Sequence, residues 1–177
     1  MSEGPAAIKE ILDAKLKPKE KTEQLVEKLS GSKALIKQLV DAFGQLKKPE
    51  QGTCISALTV IAEQQPALLK DHIGFCIAQI NHKAPRVKWE ASQIIGHLAK
   101  SYSEQVKDAI PALKKNVEDE GTVVRWSTAF ALTEIAKSNP AAHAQLISYL
   151  QKLEQSEANN GVRKIYTKAL KTLQKAS

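Results

Sequence analysis

Few side chains of this 177-residue chain are of the kinds that do chemistry: four histidines, two cysteines, two tryptophans and three arginines among many lysines. His72, His82, His97 and His143 are scattered, and none is followed by Glu. No Gly-x-Gly-x-x-Gly, phosphate loop or Gly-x-Ser-x-Gly occurs, so nucleotide cradles and serine nucleophiles lack their usual sequence marks. Cys54 and Cys76 are too few for a disulfide framework or a zinc site. Cys76 falls in a column of leucines, which reads as a small buried hydrophobe. The expectation is a protein without a catalytic centre, a metal or a cofactor.

What remains is recognition chemistry. Trp89 and Trp126 stand 37 residues apart, each two positions after a valine of an apolar stripe, and Phe130 follows one helical turn after Trp126. Off-stripe aromatics either pack between neighbouring repeats or face a ligand as binding hot spots. Lys88, Arg125 and Arg163 form a basic column, with Arg86 close by. Such a column suits contacts to phosphates and carboxylates. Lys164, Lys168, Lys171 and Lys175 recur at i, i+4, i+7 and i+11, opposite Ile165, Ala169, Leu170 and Leu173. That stripe is a polar outer face for a terminal repeat, or an anion-facing patch beside the aromatics. The candidate partner-binding residues are therefore Trp89, Trp126, Phe130, Lys88, Arg125, Arg163, Lys164, Lys168 and Lys171.

The elements that position these groups emerge from a repeat. A shift of 37 residues aligns Ile36, Ile73, Ile110 and Ile147, then Leu39, Cys76, Leu113 and Leu150 three positions on, which is helical spacing. The same shift aligns Leu58, Ile95 and Leu132, and Ala62, Ala99 and Ala136, and lays Val87-Lys88-Trp89 on Val124-Arg125-Trp126. At the carboxyl end the register slips by one, which brings Val162-Arg163, Leu170 and Leu173 into place. Each unit reads as two amphipathic helices. In the clearest unit Val106, Ile110, Leu113 and Val117 mark the first helix, Glu118-Asp119-Glu120-Gly121 the turn, and Val124 to Ala136 the second. Pro140 suits the first turn of a following helix, and Pro49, Pro66 and Pro85 read as equivalent junctions. Residues 5–30 fit the same scheme, which makes five helix pairs.

Composition sets the outer bounds. Charged residues at 25% and hydrophobic residues at 42% indicate a folded globular chain, and eight Gly with seven Pro argue against a turn-rich all-β fold. No apolar run approaches a membrane span, and Met1-Ser2-Glu3-Gly4-Pro5 has no signal-peptide character, so a cytoplasmic protein without a membrane partner is expected. Of the net charge of +7, the last 27 residues carry +4. Acidic partners are thus plausible on electrostatic grounds.

The unit Pro111-Ala112-Leu113, Glu118-Asp119-Glu120, Val124-Arg125 and Ala129 to Ala136 resembles a HEAT repeat of the small bacterial type. The resemblance covers nearly the whole chain. It implies one all-α domain over 1–177, a right-handed α-α superhelix of about five helix pairs whose second helices line a concave face. It also implies a first helix kinked at Pro111, and a ladder from Lys88, Arg125 and Arg163 to acids of the preceding turn, such as Asp119. By that resemblance the function is a non-enzymatic scaffold binding another protein. A weaker similarity, to the HEAT-like alkylpurine DNA glycosylases, implies nucleic-acid binding as the alternative. Gln93 and Phe130 stand one turn after the tryptophans, where that family's catalytic Asp has no counterpart. HEAT-like chromophore lyases and their maturation factors resemble the chain in repeat type only.

Overall fold

The computed structural model describes residues 3–176. Among them the secondary structure is helical throughout, arranged as five helix pairs in two layers. The first helices are α1 (Glu3–Asp13), α3 (Lys33–Ala42), α5 (Ile73–Gln79), the broken helix α7 (Ser103–Val106) with α8 (Ile110–Lys114), and α10 (Ala144–Ser156). Their partners are α2 (Pro18–Leu29), α4 (Lys48–Gln64), α6 (Pro85–Leu98), α9 (Thr122–Ser138) and α11 (Asn160–Lys175). The second helices stack in order, α2 on α4, α4 on α6, α6 on α9 and α9 on α11, and these are the most extensive contacts in the molecule. This is the all-α solenoid that the 37-residue period predicts.

The columns of the repeat are the core. Ile36, Leu39, Ile73, Cys76, Leu113 and Leu150 are buried, as are Leu58, Ile61, Ile95, Leu98, Leu132 and Ile135. They join one continuous apolar cluster running from Ile8 to Leu173. Helices α4 and α9 are covered on nearly every side, so their hydroxyls need internal acceptors. Thr53, Thr128 and Thr133 each donate to the carbonyl four residues back, at 2.7–3.1 Å. A Thr in a sandwiched helix is thereby satisfied without a partner from outside.

Helix ends follow local chemistry. Helix α2 stops at Ser30, and Gly31 takes a left-handed φ of 73°, which a side chain would resist. Ser32 then caps α3 by accepting the Leu35 N–H at 3.2 Å. Pro111 breaks its helix as the resemblance to HEAT repeats implies. Its ring clashes with the carbonyl four residues back, and Lys107–Ala109 tighten into a 3-10 turn between α7 and α8. The junction prolines, read from sequence as equivalent, fall into two classes. Pro49 and Pro85 open second helices, whereas Pro66 and Pro140 open 3-10 turns that lead into first helices. Any residue in a helix's first turn can dispense with its N–H, so proline alone does not tell which helix begins.

Candidate functional site

The residues that alternate along the opening of a second helix have opposite fates. On the turn side, Lys88 reaches forward to the next repeat's turn and pairs with Asp119 at 2.7 Å. Arg125 does the same with Glu157 at 3.2 Å, and its guanidinium also donates to the Asp119 carbonyl at 2.8 Å. Arg163 donates to the carbonyls of Glu157 and Ala158 at 2.8 and 3.2 Å. Each turn carboxylate also braces its own turn, where Asp119 accepts the Gly121 N–H and Glu157 the Asn159 N–H, at 2.9 and 2.8 Å. The ladder expected from sequence differs in direction. The acid comes from the following turn, and the preceding turn supplies only backbone carbonyls. Helix stacking offsets neighbouring repeats, which moves the acid of the next unit beneath the cation. Lys88, Arg125 and Arg163 are thus tied into the fold.

The electrostatics of the ladder agree with its geometry. Burial alone would raise the Asp119 carboxyl, but the Lys88 ammonium, the Gly121 N–H and Arg125 together hold it below its ordinary value of 3.8. At the equivalent turn one repeat earlier the acid is replaced by His82. Its Nδ1 accepts the Ala84 N–H at 2.9 Å, the bond Asp119 makes to Gly121. Burial first, and then the nearby Lys48 charge, depress the His82 pKa below 6.5 and favour the neutral ring this bond requires. Asn116 completes the interlock, donating to the Ile80 carbonyl at 2.8 Å and accepting from Asn81 at 3.2 Å.

On the other side of the same helices an open surface crosses the inner layer. A groove of about 650 Å³ is lined on α2 by Lys19 and Glu23, on α4 by Ser56, Thr59 and Glu63, and on α6 by Arg86, Glu90, Gln93 and His97. The two Glu90 carboxylate oxygens accept the Ser56 and Thr59 hydroxyls at 2.7 and 2.6 Å, while Arg86 donates to Ser56 at 2.9 Å. The groove ends at His97, whose ring meets Phe130 edge-on at 5.1 Å, and Phe130 stacks on Trp126 at 6.0 Å and 20°. Phe130 also lies over Gly96, where an added Cβ would come within 2.4 Å of its ring. Trp126, 42% exposed, and Val123 beside it are the large hydrophobic residues left open to solvent among those described.

The two tryptophans therefore part company: Trp89 is half-buried and Trp126 is exposed. With the one-residue slip, Lys164 and Lys168 of α11 occupy the repeat positions of Trp126 and Phe130 on α9, and Lys171 that of Thr133. All three lysines are exposed, whereas Thr133 is buried under the next helix. Trp126 and Phe130 thus share their repeat columns with Lys164 and Lys168, while Lys88, Arg125 and Arg163 lie at the turn edge. Sequence reasoning missed the groove. Only the seat of Phe130 on α6 left a signal, Gly96 inside a helix, which marks close approach of a neighbour.

Among the described residues no group of three His, Cys, Asp or Glu is placed to hold a metal ion. Burial pushes the thiols of Cys54 and Cys76 up to about 12, and a protonated, enclosed thiol is a poor nucleophile. No described helix is long and apolar enough to cross a membrane. The glycosylase-like alternative finds no support here. Its catalytic carboxylate is missing, the basic column is spent on internal partners, and Glu23, Glu63 and Glu90 line the groove.

Comparison with known proteins agrees with this architecture. No family model matches the chain. AP-3 complex subunit delta-1 of Bos taurus is 27% identical over 120 residues, which is 66% of this chain and 10% of that subunit. The chain thus spans about a tenth of the curated relative it matches. Among solved structures, the complex of CpcE and CpcF of phycocyanin lyase from Nostoc sp. PCC7120 superposes with a TM-score of 0.72 at 18% identity, over 94% of this chain and 97% of that one. Computationally designed armadillo repeat proteins for modular peptide recognition give 0.65 at 20% identity, over 93% and 79%. An engineered protein gives 0.70 at 21% identity, over 97% and 79%. The fold is a HEAT/armadillo-like repeat solenoid.

Proposed function

We propose that this solenoid is a non-enzymatic scaffold that binds a segment of another protein on its concave face. One observation carries the reading: Trp126 stands exposed and stacked on Phe130, at the end of an open groove across α2, α4 and α6. A tryptophan left 42% exposed there adds less to folding than a buried one, while aromatic anchors are frequent binding hot spots. Support also comes from the fold, which in its designed armadillo neighbour serves peptide recognition and in its CpcE–CpcF neighbour lies within a protein complex. We read residues 1–177 as one such domain, working in the cytoplasm without a metal or cofactor. The surface consists of Trp126, Phe130 and Val123 with Lys164, Lys168 and Lys171 alongside, and Trp89 at its half-buried margin. Lys88, Arg125 and Arg163 contribute through the fold rather than by contact.

The test is affinity capture from the source cell with the wild-type chain and with Trp126→Ala in parallel. A protein retained by the first and lost by the second supports the scaffold reading. Retention of the same proteins by both chains contradicts it.

A further inference from the structure

The inner face changes character along the solenoid, and the order of the change carries information about what fits it. The groove across α2, α4 and α6 presents three carboxylates, Glu23, Glu63 and Glu90, against the cations Lys19 and Arg86. Next comes the apolar stretch of α9, Val123, Trp126 and Phe130. After it, in the same repeat columns, come Lys164 and Lys168 on α11, with Lys171 and Lys175 continuing the stripe. These lysines differ from Lys88 and Arg125 of the turn edge. Lys88 and Arg125 each hold a carboxylate within 3.2 Å, while no acid lies within ion-pair distance of Lys164, Lys168, Lys171 or Lys175 among the described residues.

We infer that the occupant of this face is an extended peptide segment bearing one aromatic or large aliphatic residue with acidic residues to one side of it only. This rests on the scaffold reading above and gives its partner a chemistry. The apolar residue packs on Trp126 and Phe130. The acidic residues reach the lysines of α11, where charge complementarity fixes the register of the segment. Packed helices lie about 8–10 Å apart and an extended strand rises about 3.3 Å per residue, so the acids stand about three positions from the apolar anchor. On the groove side an acidic residue would meet three carboxylates, Glu23, Glu63 and Glu90, against two cations, Lys19 and Arg86, a balance that disfavours the reverse placement.

The experiment is selection of random twelve-residue peptides on the immobilised full chain, with Trp126→Ala as the counter-selecting surface. The expected peptides share an aromatic or large aliphatic residue with Asp or Glu about three positions to one side. A synthetic peptide of that pattern should bind the Lys164→Glu, Lys168→Glu double variant roughly tenfold more weakly, and a version with Lys in place of its acids should recover the loss. Both substitutions are at exposed positions, and a thermal melt confirms that the variant is folded. Peptides enriched without one-sided acidity, or an affinity indifferent to the double substitution, overturn this inference and leave the scaffold reading standing. No peptide enriched over Trp126→Ala overturns both. So does binding of single-stranded or duplex DNA, but not peptide, to the lysine and tryptophan surface.

Discussion

Arg125 and Trp126 are neighbours in sequence and opposites in the structure. The turn edge of the second helices consumes its polar groups. Arg125 meets a carboxylate that is only 8% exposed, and Asp119 and Glu157 each hold a backbone N–H and a cation at once. The inner face leaves Trp126 open, and Lys164 and Lys168 without acids. A repeat protein must join each unit to the next and also present a surface, and here a single residue step around the helix separates the two roles. The lesson is that a basic column and an aromatic column of equal periodicity carry different weight. The column with buried partners is a fastening, and the column without them is available to a ligand.

Arg125→Ala should produce the largest effect. It leaves the partly buried Glu157 without its cation and the Asp119 carbonyl without its donor, so folding stability should fall by about 2 kcal/mol, measured by urea unfolding. Peptide affinity of the folded fraction should be unchanged. A shift in affinity would break the division between the two edges.

The next largest concerns Gly96→Ala. The new Cβ would come within 2.4 Å of the Phe130 ring, forcing that ring or the α6–α9 contact to move. The expected loss is about 1–3 kcal/mol of stability together with weaker binding, since Phe130 supports Trp126. This variant shows where joint and surface touch. Trp89→Ala should destabilise more than Trp126→Ala, because Trp89 is the more buried of the two.

The joints themselves differ in pH response. The Asp119 carboxyl is held below 3.8 in the folded state, so its contribution is present at neutral pH and lost as pH falls through the acid range below that value. The His82 ring is depressed below 6.5, so the unfolded chain takes up its proton first and stability declines as pH falls below about 6.5. His143 shifts the same way, chiefly through burial, and adds to that decline. His82→Asp would give this turn the carboxylate of its neighbours, close to Lys48. It should gain up to about 1 kcal/mol at pH 7 and flatten part of the decline between pH 6.5 and 5, read by thermal melts across pH.

The fold was legible because burial repeats. Columns such as Ile36, Ile73 and Ile110, or Leu58, Ile95 and Leu132, fix helix pairing by period alone, and a kink follows from Pro111. The direction of the Lys88 and Arg125 pairs was not legible, since a column shows which residues are equivalent and not how far one unit is offset against the next. The Ser56–Thr59–Glu90 cluster left no periodic trace, because each member belongs to a single repeat. The difference between Trp89 and Trp126 was hidden for a related reason. Equal positions have unequal neighbours, and Lys164 on the last helix replaces an aromatic with a solvated charge.

The most direct test of the central claim is Trp126→Ala, followed by urea unfolding and by titration with a selected peptide. The expected result is a loss of about 2 kcal/mol in binding, in the hot-spot range, and about 1 kcal/mol or less in stability. A loss of about 3–5 kcal/mol in stability, with affinity of the folded fraction unchanged, would show Trp126 to be packing between repeats and would contradict the claim.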